Sequence, residues 1–235
     1  VDEISIQRLV GPGEVPVFVS QEATNGIVYI ELCFPIDLLE PEEYAFFLFF
    51  PGCLANVGYG KTSWVEAARR SALESGGMGA NLFTSSMMNE FDGLRAYNEK
   101  GVLVHDPVYG RDWLFVKVRM LTEQADKALA MMKDVLLTVD FSDTERLSTL
   151  LKELKNDFVA SLAPAGHEYA LSRSSCKLSR NKAIDEIWNG LTQFTTIRLM
   201  FDMDMTALGT KLSSLFTRIK ENGSVVHITA DKESL

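Results

Sequence analysis

The sequence predicts an α+β fold, a mainly antiparallel mixed sheet packed against several helices. Three observations point to it. Strand-like runs crowd the first half of the chain, helical periods fill the middle and end, and a last apolar run, 224–230, returns to strand after the final helix. Strands segregated from helices in this way make an α+β fold, where strict alternation would give parallel βαβ units. Short turns join most of the early strands, and such turns make neighbours run antiparallel.

In chain order, Ile4–Val10 and Val15–Ser20 are extended segments parted by the turn Gly11-Pro12-Gly13. Thr24-Asn25-Gly26 is a hairpin signal, because Asn and Gly accept the positive φ of a type I′ turn. Ile27–Phe34 (IVYIELCF) is almost wholly apolar or β-branched and reads as a strand buried on both faces. Pro41-Glu42-Glu43 opens a helix with Pro in the first turn and acids at the positive end of its dipole. The body of that helix, Tyr44–Phe50, has no polar face and belongs inside the core. Ser63-Trp64-Val65-Glu66 is a capping box that starts a second helix, stopped at Gly76-Gly77. A strand follows at Gly79–Met88, then a hairpin from Leu94–Tyr97 and Val102–His105, then a strand at Trp113–Met120. Thr122 is placed to cap a helix bearing Ala125, Ala128, Leu129, Met132, Val135 and Leu136 at the helical period. Beyond Asp143 a helix sets Leu147, Leu151, Leu154 and Phe158 on one side. His167–Cys176, Lys182–Met200 and Thr206–Glu221 are the later helices, and Asn222-Gly223 turns into the closing strand. No repeat, low-complexity tract or composition shift marks a linker, so 1–235 reads as a single lobe.

Hydrophobic residues make up 46% of the 235 and charged residues 23%, which suits a globular core. The net charge is −9, with no basic run beyond Arg69-Arg70, so nucleic acid is not the expected partner. No apolar run is long enough to span a bilayer, and no membrane partner is expected. Val1-Asp2-Glu3 lacks both an initiator Met and the basic start of a signal peptide, which suggests a piece of a longer polypeptide. Cys33, Cys53 and Cys176 are odd in number and two sit in apolar contexts. Reduced thiols in a reducing compartment, the cytoplasm or an organelle, are therefore expected.

The histidines are His105, His167 and His227, and no two are four apart, so neither orientation of the zinc-peptidase helix motif is present. There is no C-x-x-C, and no catalytic or metal-binding residue is assigned. Gly58-Tyr59-Gly60-Lys61-Thr62 ends in Gly-Lys-Thr without the spacing of a phosphate loop. Cys176 near His167 admits a cysteine-nucleophile reading, against the plainer one of packing for the thiol. The cluster Gly166–Arg173 (GHEYALSR) sets an imidazole, a carboxylate, a phenol and a guanidinium in two helical turns. Its Tyr and Arg suit a polar cavity wall that donates to peptide carbonyls or carboxylates, or else it is a helix start with solvated charges.

The order of strand 27–34, long helix, capped helix Ser63–Glu74, Gly76-Gly77 and strand Gly79–Met88 resembles one lobe of the pitrilysin-type zinc metallopeptidases. Within that family, Gly166–Arg173 and Trp188–Gln193 (WNGLTQ) resemble the third of four lobes in the presequence protease and falcilysin branch. The resemblance implies the LuxS/pitrilysin-like roll, with two halves closing around an unfolded peptide. In the family, zinc sits in the first lobe on H-x-x-E-H. The matching helix here offers Pro41, Glu42, Glu43 and Tyr44, so no zinc ligand carries over.

What is implied is a non-catalytic lobe of a zinc metalloendopeptidase that degrades oligopeptides. Inactive by itself, it would form part of the substrate chamber and of the inter-lobe contacts, with zinc only in the catalytic lobe of the parent. Its partners would be the other lobes and the unfolded peptide, and the isolated piece would either self-associate or bind the remaining lobes supplied in trans. His167, Tyr169 and Arg173 are the candidate chamber residues. The Arg and Tyr that reach the family's active site come from its fourth lobe, so that role is not given to Tyr169 or Arg173. The rival is a free-standing interaction module that holds an extended peptide by strand addition.

Overall fold

The computed structural model describes residues 6–86 and 110–235. A hairpin of β1 (Ile6–Val10) and β2 (Pro16–Gln21) comes first, then β3 (Ile27–Pro35). Helices α1 (Pro41–Phe47) and α2 (Phe50–Asn56), strand β4 (Gly58–Tyr59) and helix α3 (Trp64–Glu74) lead to β5 (Met78–Ser86). Next come β6 (Gly110–Leu121), α4 (Ala125–Thr138), β7 (Val139–Asp140) and α5 (Thr144–Ser161). Four helices, α6 (Gly166–Ser175), α7 (Arg180–Asn189), α8 (Thr192–Phe201) and α9 (Met205–Glu221), precede the closing strand β8 (Val225–Ala230). The expected hairpin of Leu94–Tyr97 and Val102–His105 lies outside the described residues.

Six strands make one sheet in the order β1-β2-β8-β3-β6-β5. All neighbours are antiparallel except β2 and β8, which are parallel. The period of two then sorts the side chains. Val28, Ile30, Leu32 and Phe34 pair with Met120, Val118, Val116 and Leu114 on the face that the helices cover. Phe47, Phe50, Phe141 and Phe216 fill the layer between, with the Phe47 and Phe50 rings stacked 4.8 Å apart. The opposite face carries Tyr29, Glu31, Lys117 and Arg119. Ile27–Phe34 is therefore not buried on both faces, since Tyr29 stays 41% exposed. The polar Tyr29 and Glu31, alternating within the apolar run, mark the side no helix covers among the described residues.

Local signals behave as chemistry dictates, while their tertiary consequences differ in places. Asn25 and Gly26 take φ of 54° and 78°, the turn geometry expected of them. Yet the strands on either side do not pair, because β8 lies between β2 and β3. The greasy helix is buried but broken: Pro51 lacks an N–H, so the chain restarts as α2. The helix expected over Lys182–Met200 is likewise two, parted at Gly190. Thr122 does not act as the helix cap expected of it. It sits in a 3-10 turn, and its hydroxyl donates to the Gly26 carbonyl at 3.2 Å. The Ser63 capping box forms as expected, with Glu66 N–H donating to Ser63 Oγ at 3.3 Å and Ser63 N–H to Glu66 Oε2 at 3.0 Å.

Candidate functional site

Helix α6 presents its candidate residues in two directions. His167 and Glu168 lie in solvent, the His167 side chain 79% exposed, with 3.9 Å between His167 Nε2 and Glu168 Oε1. Tyr169 turns inward. Its ring meets Phe158 edge-on at 5.6 Å and its hydroxyl bonds Ser161 Oγ at 2.5 Å. The Arg173 side chain is 62% exposed and reaches back to Glu186 Oε1 at 3.5 Å.

Glu186 on α7 is the hub, its side chain only 3% exposed. One carboxylate oxygen accepts from Ser172 Oγ at 2.7 Å. The other accepts from the Thr192 backbone N–H at 3.3 Å, Thr192 Oγ1 at 3.2 Å and Arg173. A buried carboxylate needs such a full set of donors, because an unpaired charge in the interior is costly. Gly190 is glycine for the same reason: a Cβ there would land on the Glu186 carboxylate. The two strings that stand out in the sequence, Gly166–Arg173 and Trp188–Gln193, are thus halves of one junction between α6, α7 and α8.

A second buried carboxylate anchors that junction to the sheet. Trp188 Nε1 donates to the Tyr44 carbonyl at 2.9 Å, and the two rings stack at 5.9 Å. The Tyr44 hydroxyl donates to Asp112 Oδ2 at 2.8 Å. Arg180 grips both oxygens of the fully buried Asp112, the bidentate geometry that guanidinium favours. Burial, followed by the bond to Asp112, pushes the Tyr44 phenol well above its ordinary value. Glu186, Asp112 and Arg180 are not among the sequence candidates. Gly190 beside Trp188 is the one visible trace of them, since a glycine between two helices marks a close approach.

The open sheet face holds another cluster. Ser20 Oγ lies 3.0 Å from His227 Nε2, His227 Nδ1 lies 3.2 Å from Glu31 Oε2, and Lys117 Nζ pairs with Glu31 Oε1 at 2.9 Å. Burial pulls the Glu31 carboxyl up, but the bonds from Lys117 and His227 outweigh it and hold the group below its usual range. Burial, with Glu31 nearby, pushes the Cys33 thiol up to about 11, and burial pushes Cys53 well up too. Cys176 Sγ donates to the Arg173 carbonyl at 3.2 Å while His167 reaches Glu168, so the cysteine–histidine pairing is not formed. Among the described residues no three His, Cys, Asp or Glu side chains gather as metal ligands.

The family model described as associated with the peptidases of family M16, subfamily C, matches residues 3–200. The chain belongs to this family. As Gly166–Arg173 and Trp188–Gln193 implied, this peptidase-associated chain is presequence-protease-like and falls in the pitrilysin family. It is 24% identical over 204 residues to the mitochondrial presequence protease of Xenopus laevis, covering 86% of this chain and 18% of the relative. It is 27% identical over 175 residues to that of Candida albicans, covering 72% and 15%. An uncharacterized protein of Borreliella burgdorferi is 26% identical over 171 residues, 72% of this chain and 16% of that protein. The peptidase-associated chain therefore spans under a fifth of these relatives. In fold it is similar to a conserved protein from Enterococcus faecalis V583, with TM-score 0.60 at 10% identity, covering 98% of this chain and 50% of that one. It is similar also to a peptidase M16 inactive domain from Pseudomonas fluorescens, with TM-score 0.57 at 12% identity, covering 97% and 47%.

Proposed function

We propose that residues 1–235 form one lobe of a zinc metalloendopeptidase that degrades oligopeptides. The lobe forms part of the substrate chamber and of the inter-lobe contacts, and leaves bond cleavage to another lobe. The observation behind this reading is the match to presequence proteases over 86% of this chain but only 18% of the relative. The free thiols Cys33, Cys53 and Cys176 favour a reducing compartment. The chain's own residues do not fit a zinc site. Its three histidines stand at 105, 167 and 227, and α1 bears Pro41, Glu42, Glu43 and Tyr44 where the family's ligands would sit. No catalytic step is assigned to them.

Within α6, His167 and Arg173 are exposed where a peptide could meet them, Arg173 while bonded to Glu186, and Tyr169 holds the helix in place through Phe158 and Ser161. Leu171 on α6, Leu178 in the turn after it, and Phe194 and Leu199 on α8 are exposed and supply apolar area for another lobe to cover. A free-standing peptide-binding module is the less favoured reading, because the bacterial, fungal and animal relatives are all far longer than this chain.

The test is His167→Ala and Arg173→Ala in the complete polypeptide, with kcat/KM measured on a long and a short peptide. The expected outcome is a loss confined to long peptides with zinc content unchanged, since remote contacts act by positioning substrate. Unchanged kinetics on both lengths would overturn the chamber assignment. A complete polypeptide without zinc or chelator-sensitive cleavage would overturn the peptidase reading.

A further inference from the structure

We propose that the open sheet face carries a niche for the C-terminal carboxylate of a peptide, gripped by Arg119 and Lys117 over the bare backbone of Gly79. The proposal rests on the parent protein handling peptides. The niche is a cavity of about 330 Å³ lined by Tyr29, Glu31, Gly77, Gly79, Lys117 and Arg119 among others, small for a ligand site and suited to a chain end.

Its floor is unusual. Gly79 lies inside β5 opposite Lys117, its φ is not positive, and a Cβ there would meet nothing within 4 Å. Neither backbone strain nor crowding calls for glycine at this position. Glycine inside a strand weakens it, and one recurrent reason for keeping it is close approach by a ligand or another backbone.

Its walls are cationic. Glu31 is engaged on both oxygens, by Lys117 at 2.9 Å and His227 at 3.2 Å. Arg119 donates from Nε to the Gly76 carbonyl at 2.5 Å, which fixes the guanidinium plane. Its terminal N–H groups have no partner among the described residues. Two cations and one carboxylate thus line the niche in a chain of net charge −9, and the edge of the fork left open among the described residues matches a carboxylate. The open floor admits the main chain of a terminal residue, whereas an acidic side chain would reach the fork without needing it.

The experiment measures anisotropy of a labelled peptide with a free C-terminus, and of its C-terminal amide, on the complete polypeptide with chelator present so that nothing is cleaved. Wild type is expected to prefer the acid by roughly tenfold, the size of one charge-assisted contact. Arg119→Gln should abolish the preference, and Gly79→Leu, whose Cβ would meet nothing within 4 Å, should weaken the acid with the fold intact by circular dichroism. A preference absent in wild type, or unchanged in Arg119→Gln, overturns the proposal. So does an amidated peptide with an internal Glu that binds as well as the acid and responds to Arg119→Gln, because the side chain would then be the ligand. Binding is read without turnover, so acid preference in a polypeptide that cleaves nothing would sink the peptidase reading and leave this one standing.

Discussion

At Glu186 a single side chain decides how three helices meet. Ser172, Arg173 and Thr192 all converge on it, and Gly190 makes room for it. Gly190→Ala must displace the carboxylate from its donors and should destabilise the fold by about 1–3 kcal/mol, the usual cost of forcing extra atoms into a packed site. A denaturant midpoint unchanged from wild type would show that the junction can relax around the methyl group. Arg173→Ala should cost about 1–3 kcal/mol, because it takes the cation from a buried carboxylate that keeps only Ser172 and Thr192 as donors. An effect of that variant on peptide turnover must therefore be read beside its denaturant midpoint. Gly166–Arg173 is legible as an unusual string, and its location on a helix is too. That it closes on Glu186 is not, since Asp185-Glu186 looks like any acidic pair on a solvated helix. Only the packing of α6 and α8 tells the two carboxylates apart.

Among the elements, α1 and α2 form the apolar plug between sheet and helices. Phe47 is fully buried and stacked on Phe50, so Phe47→Ala should cost roughly 3–5 kcal/mol in chemical unfolding. A loss below about 1 kcal/mol would mean that neighbouring rings collapse into the space. Strands, caps and amphipathic periods are readable because each depends on residues close together in the chain. Breaks are harder to read. Pro51 interrupts α1–α2 as its missing donor requires, but whether helix resumes afterwards depends on the burial of Cys53 and Leu54. Thr122 has a good capping residue's chemistry and spends it on the Gly26 carbonyl, a partner 96 positions away.

For the whole molecule, the position of β8 matters most. Among the described residues the β1–β2 hairpin joins the sheet only through β2–β8, and every residue of β1 is exposed. Amides of β1 and β2 should therefore exchange hydrogen through a partial opening that leaves β3 and β6 protected. Equal protection across all these strands, measured on the native protein, would show that the hairpin is held by contacts beyond the β8 ladder. The turn Asn25-Gly26 could not reveal this arrangement, because its geometry is satisfied whether or not its flanking strands pair.

The same slot has a consequence in time. On a ribosome, β2 and β3 emerge about two hundred residues before β8. Until then the side of β3 that will hold β8 is a bare edge, a template for pairing with any passing strand. Contacts so distant in sequence close slowly, and waiting edges are where nascent chains aggregate. The nascent chain therefore carries this exposed edge until Val225–Ala230 slides into the sheet.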